Sequence, residues 1–235
     1  MPELPSADES VLLVDAWNRP IGDCSRRIMR RHMLRHRATY VLVIDSQQRL
    51  CVQKRSGQKD YCPGWWDLAA GGVVNVGESY RLSAERELQE ELGISAPIQF
   101  LREFFTFGED GGRAFGQVFV CPWQGDIHRQ AEEIDAVEWW TAADVSRQRA
   151  SITPDSWLAW QIYRQQPPSV SVSVGQRLQC QQQLWQIQAM FTDLQGESMA
   201  VLSDSKGRCE TIAVTTLQAI CRDGDTLMPM FATVT

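Results

Sequence analysis

A chain of 235 residues with 43 % hydrophobic and 22 % charged residues has room for one large domain or two small ones and enough apolar content to bury a core, which excludes a mainly disordered polymer. The net charge of −6 excludes broad electrostatic binding to nucleic acid, and no run approaches the roughly 20 apolar residues of a membrane-spanning helix. Seven widely spaced cysteines, odd in number and without a C-x-x-C pair, exclude a zinc ribbon or disulfide framework. Reduced thiols and a polar, acidic N-terminus unlike a signal peptide point to a soluble, cytoplasmic protein.

In chain order, residues 1–10 read as loose. Val11–Asp15 reads as a strand, Asn18–Gly22 as a turn, and Ser25 to about Leu34 as a helix capped by Asp23 or Ser25. Its arginines, with Arg35 and Arg37, are read as a solvated face. Thr39–Asp45 and Leu50–Lys54 form a hairpin pattern. Leu68–Val74 suits a buried strand ending in a loop. Ser79–Leu92 is the clearest helix, with Ser79 as cap, apolar positions at Leu82, Ala84, Leu88 and Leu92, and Gly93 where a left-handed residue ends it. Strands follow at Pro97–Phe107, Ala114–Trp123 and Val137–Trp140, then a helix from Thr153 to about Arg164. Gln165–Ser169 reads as a linker, and the rest as short β-prone runs, including Thr216–Cys221, between turn signals.

The chemistry concentrates in GVVNVGESYRLSAERELQEELGI, from Gly72 to Ile94. At about 100° per residue, Glu87, Glu90 and Glu91 share one helix face while Ala84, Leu88 and Leu92 face inward. Like charges so spaced are unfavourable in an isolated helix. A hard divalent cation, which prefers oxygen ligands, removes the conflict. A solvated glutamate face is the plain alternative, but Gly72, Glu78, Arg86 and Gly93 stand in register with the three carboxylates. The spacing fits G-x5-E-x7-R-E-U-x-E-E-x-G-U, U being a bulky aliphatic residue. Its chance occurrence at a given start is on the order of one in a billion.

This stretch resembles the signature of the Nudix hydrolase family. Val11–Asp15, NRPIG from Asn18, LRHRATY from Leu34, QKRS from Gln53 and PGWWD from Pro63 extend the resemblance over about residues 11–165. They are similar to the branch holding type I isopentenyl-diphosphate isomerase and the YfcD-like hydrolases. The resemblance implies an α/β fold, an α/β/α sandwich around a mixed sheet, and hydrolysis of a diphosphate linkage with Mg²⁺ or Mn²⁺. Gly72 through its carbonyl, with Glu87, Glu90 and Glu91, would hold the metal. Arg86 and Glu78 would pair, tying loop to helix. The proton acceptor would be Glu87 or a loop glutamate, with Glu132 and Glu133 as candidates.

The isomerase carries a catalytic cysteine and a metal-binding histidine in the strand after P-G-x-W-x, where this chain has Gly71 and Val73, so isomerisation is not expected. His32 and His36, spaced i, i+4, could form a metal pair but read better as structural histidines at a helix end. The nine tryptophans, Trp65, Trp66, Trp139 and Trp140 among them, read better as core than as base-stacking platforms. Two domains are expected: residues 1–167, a Nudix hydrolase, and residues 168–235, a separable small all-β unit, SH3-like, whose role no motif announces. The expected partner is a small-molecule diphosphate, nucleotide derivatives included. No membrane or strong nucleic-acid partner is expected, and a homodimer is compatible with the composition. A catalytically silent ligand-sensing or partner-binding module is the competing class.

Overall fold

The computed structural model describes residues 9–59, 61–108, 112–165, 173–180, 183–193 and 198–217. The loose residues 1–8, the linker at 166–169 and the strand end at 218–221 expected from the sequence lie outside these residues, as do parts of the turns at 108–112 and 193–196.

The first sheet has eight described strands: β1 Ser10–Val14, β2 Pro20–Ser25, β3 Arg35–Ile44, β4 Leu50–Arg55, β5 Trp66–Asp67, β6 Gln99–Gly108, β7 Gly112–Pro122 and β8 Ile134–Trp140. It is mixed. β3 runs parallel to β7 from Arg35↔Arg113 to Ile44↔Pro122, and the other pairings are antiparallel. β3 is buried on both faces from Ala38 onward, and its second half, Tyr40–Ile44, reads as a continuous apolar run. Val41 and Val43 pack with Ala84, Leu88 and Leu92 of α2 (Tyr80–Leu92). Tyr40, Leu42 and Ile44 pack with Ala159, Trp160 and Ile162 of α4 (Pro154–Gln165). Helix, sheet and helix thus form the expected α/β/α layers.

Several local expectations shift. The first helix, α1, covers only Arg26–Arg31; Ser25 caps it by accepting from the Ile28 amide. Leu68–Ala70, Val73 and Val74 are buried, as their apolar character requires, with Gly71 and Gly72 half-buried between them, but only isolated bridges form there: Val41↔Ala70 and Ala38↔Val73, in one antiparallel register. Leu82 is exposed, and Tyr80 and Ser83 take the inward positions of α2 instead. A short helix, α3 (Ala142–Arg147), was not read from the sequence. It starts at a reciprocal Thr141–Asp144 cap.

The C-terminal strands form a separate antiparallel sheet in the order β12-β11-β10-β9: Arg177–Cys180 (β9), Gln183–Thr192 (β10), Ser198–Asp204 (β11) and Cys209–Ala213 (β12). Val214–Leu217 is helical where a strand was expected. Trp185, Ile187, Ala200, Leu202, Ile212, Val214 and Leu217 cluster in a core that Trp17, from the turn after β1, completes. Trp17 and Trp185 meet edge to face at 5.5 Å.

His32 and His36 do not form a pair on one helix. α1 ends at His32, which is exposed, whereas His36 lies buried in β3 with Nδ1 2.9 Å from the Leu34 carbonyl. Burial, with the charges of Arg30 and Arg26, pushes His36 down to about 4. The neutral ring is therefore favoured in the fold, and the unfolded chain binds the proton more readily. Stability from this group is fully present above pH ~6.5 and is lost as pH falls toward 4, on the order of 3 kcal/mol in all. Urea unfolding should show His36→Gln losing less stability than the parent chain between pH 6.5 and 4; equal losses would place the histidine in contact with water.

Candidate active site

α2 starts at Ser79, whose hydroxyl accepts from the Leu82 amide, and stops at Gly93 with φ 68°. Its inner face lies beside the backbone of residues 70–74. Glu87 and Glu91, one turn apart, are 9 % and 6 % exposed, while Glu90 projects outward. Glu91 Oε2 accepts from Gln53 Nε2 at 2.8 Å and from the Gly71 amide at 3.0 Å. Glu87 approaches Gly72 so closely that a Cβ there would stand 2.4 Å from its Oε1. The Gly72 carbonyl accepts the Thr39 amide at 2.9 Å, with the Thr39 hydroxyl at 3.5 Å.

Arg86 organises the other carboxylates. Its Nε and Nη2 donate to the two oxygens of Glu78 at 2.7 and 3.0 Å, the loop-to-helix tie expected from the sequence. Its Nη1 donates to Glu87 at 2.9 Å and Glu90 at 3.0 Å. The Arg86 pairing holds Glu78 below the usual carboxylate range. Burial pushes Glu87 upward against the pull of Arg86. Burial, then repulsion from Glu87, pushes Glu91 up to about 8. Glu91 thus has neutral hydrogen-bond donors and a carboxylate neighbour, an arrangement that is costly for an anion out of water.

These features fit a hard cation. The donors are oxygens, two of the carboxylates are desolvated and mutually repelling, and the absence of a side chain at Gly72 leaves the Glu87 carboxylate against the main chain. Among the described residues no three His, Cys, Asp or Glu side chains already converge on one point; Glu87 and Glu90 are both turned onto Arg86.

The loop glutamates separate. Glu133 pairs with Lys59, and its carbonyl accepts from the Ser56 amide, while Glu132 is exposed in the same turn. This loop is tied to the end of α2 by the His128 amide on Leu92 O at 2.9 Å and the Gln130 amide on Glu91 O at 3.0 Å. Lys59 is close enough to Glu91 to favour its charged form. Gln53 and Lys59 were not singled out from the sequence, although Gln53 opens the QKRS segment. Trp66 and Trp140 are spent on each other, with ring centroids 4.7 Å apart, as the core reading holds, whereas Trp65 is exposed against that reading.

The NUDIX domain model matches residues 34–161, more than half of the chain. The chain belongs to the Nudix hydrolase family. Among its Nudix relatives, the uncharacterized Nudix hydrolase YfcD of Escherichia coli strain K12 is 38 % identical over 151 residues, covering 64 % of this chain and 84 % of that protein. An isopentenyl-diphosphate Delta-isomerase of Serratia proteamaculans is 32 % identical over 158 residues, covering 65 % of this chain and 87 % of the isomerase. The crystal structure of DR0079 from Deinococcus radiodurans shares the fold: TM-score 0.58, 24 % identity, 66 % of this chain and all of that one. These two relatives and this structure each cover about two thirds of the chain.

Within this Nudix domain the two positions that bear on isomerisation have no free functional group. A Cβ at Gly71 would stand 1.9 Å from the Thr39 carbonyl oxygen, so the position has no space for a side chain. Val73 is buried with Val11 and Met29 in a small apolar cluster.

Proposed function

We propose that the chain hydrolyses the diphosphate bond of a small X-diphosphate, nucleotide derivatives included, by attack of water on phosphorus. The observation that carries this reading is the buried Glu87–Glu91 pair against the Gly71–Gly72 backbone. Glu87, Glu90, Glu91 and the Gly72 carbonyl would hold Mg²⁺ or Mn²⁺. When bound, such an ion supplies charge stabilisation on the diphosphate and an activated water. Arg86 keeps Glu87 and Glu90 oriented and is itself fixed by Glu78. Gln53 and the Gly71 amide fix Glu91. The proton acceptor is Glu87 or one of the loop glutamates. Glu133, held by Lys59 in a loop tied to α2, is better placed than the exposed Glu132.

The test is a panel of nucleoside di- and triphosphates, nucleotide sugars and prenyl diphosphates, assayed with Mg²⁺, with Mn²⁺ and with chelator. Metal-dependent phosphate or pyrophosphate release on at least one compound is expected. No release from any of them under either metal favours a silent ligand-binding domain. Isopentenyl and dimethylallyl diphosphates should not interconvert, because Gly71 and Val73 can neither protonate carbon nor bind metal through a side chain. Isomer exchange above a no-protein control would overturn that assignment.

A further inference from the structure

The C-terminal sheet touches the Nudix domain through more than apolar cover. The helical turn after β12 has two faces. Val214 and Leu217 belong to the sheet's own core, while the Thr216 hydroxyl, also buried, donates to Glu103 Oε1 of β6 at 2.8 Å. Glu103 is 5 % exposed and held by two other neutral donors: Gln117 Nε2 at 2.9 Å on Oε2, and Asn18 Nδ2 at 3.3 Å on Oε1. Asn18 Nδ2 also lies 3.1 Å from the hydroxyl of Tyr80, the first residue of α2. Arg37 closes the group, donating from Nε to Asn18 Oδ1 at 2.8 Å and lying 5.1 Å from the centroid of the Tyr80 ring. Asn18 sits in a turn at φ 60°, with Trp17 beside it delivered into the C-terminal core. One tight turn therefore gives its tryptophan to the C-terminal sheet and its asparagine to the underside of α2.

We propose that the C-terminal sheet is a positioning element for the Nudix helix, gripping its first turn through Thr216, Glu103, Asn18 and Tyr80. The consequence for the site follows from direct contacts. Tyr80 lies two residues after Glu78, and Glu78 holds the arginine that orients Glu87 and Glu90. A buried carboxylate that loses one of its donors carries a desolvation cost, and the groups it holds are freed to move. On this account the C-terminal sheet acts on the start of α2 and needs no contact with substrate.

The coupling can be read without substrate, so the outcome is independent of which diphosphate, if any, the protein hydrolyses. Amide hydrogen exchange is followed in the full chain for residues 77–84, for α4 and for residues 209–217, in the parent and in Thr216→Val and Thr216→Ser. Valine keeps the shape and removes the donor, whereas serine keeps the donor. Exchange at 77–84 should accelerate about tenfold in Thr216→Val, with α4 unchanged and Thr216→Ser close to the parent. Acceleration confined to 209–217 would reduce the sheet to a cover for Trp17. Equal acceleration in 77–84 and α4, or in the serine variant, would mean general loss of stability. Either pattern overturns the proposal. Thr216→Ala serves the same comparison if the valine variant does not fold.

Discussion

Glu91→Gln and Glu87→Gln should each lower turnover by about 100-fold or more at saturating Mg²⁺, with the fold intact. The amide at 91 still accepts from Gln53 and the Gly71 amide, which now bond Glu91 at 2.8 and 3.0 Å, so packing is preserved while one charge is lost. Stability should move the other way. Glu91 is an almost fully buried carboxylate, pushed upward by desolvation and by Glu87. An amide there removes the cost of either carrying the charge or taking up a proton in the absence of metal. Without metal, therefore, Glu91→Gln should melt above the parent, by a few degrees for a gain on the order of 1 kcal/mol. With metal the parent should gain stability by mass action and the variant should gain less. Full turnover in either variant would remove these carboxylates from the reaction. A variant that melts below the parent without metal would show that the carboxylate is satisfied as it stands.

What the sequence made legible follows from the range of the forces involved. α2 was readable end to end because its cap, stop and inner stripe are local: Ser79 bonds the Leu82 amide, and Gly93 takes the left-handed conformation. Even there the stripe was misread at Leu82, since apolar character does not say which residues face the sheet; Tyr80 and Ser83 do so because polar partners or close packing await them. α3 escaped because six residues show no period, and only its Thr141–Asp144 cap marks it. His32 and His36 read from their spacing as partly buried histidines at one helix end, but the helix stops at Arg31, leaving His32 exposed and His36 buried in β3. The Glu87–Glu90–Glu91 cluster was legible as a pattern. Its neighbours were not: Gln53 reaches Glu91 across 38 positions and Thr216 reaches Glu103 across 113, and spacing carries no signal for such contacts. The same holds for Trp17, whose place in the C-terminal core makes that unit less self-contained than its composition suggests.

Two adjacent glycines should separate the needs of the fold from those of the site. A methyl group at Gly71 would stand 1.9 Å from the Thr39 carbonyl oxygen and 2.8 Å from its carbonyl carbon. Both are backbone atoms in β3, at the centre of the sheet, where Thr39 is also aligned with Gln117 of β7. They cannot yield without breaking the Val41–Ala70 and Thr39–Gly72 bonds beside them. Gly71→Ala should therefore cost several kcal/mol, and the protein should accumulate poorly or unfold at a much lower urea concentration. A methyl group at Gly72 meets a different neighbour: Glu87 Oε1 at 2.4 Å and its Cδ at 2.7 Å, the far end of a side chain that can rotate. Gly72→Ala should fold, with a stability change of about 1 kcal/mol or less, because the strain is released by moving the carboxylate. That movement takes Glu87 away from the Gly72 backbone and disturbs its 2.9 Å bond with Arg86, so turnover should fall at least about tenfold despite intact folding. Urea unfolding and steady-state rates on the two proteins decide the matter. A stable Gly71→Ala would show that β3 and the glycine segment are not packed this closely, and a fully active Gly72→Ala would show that the position of Glu87 against the backbone does not matter to the reaction.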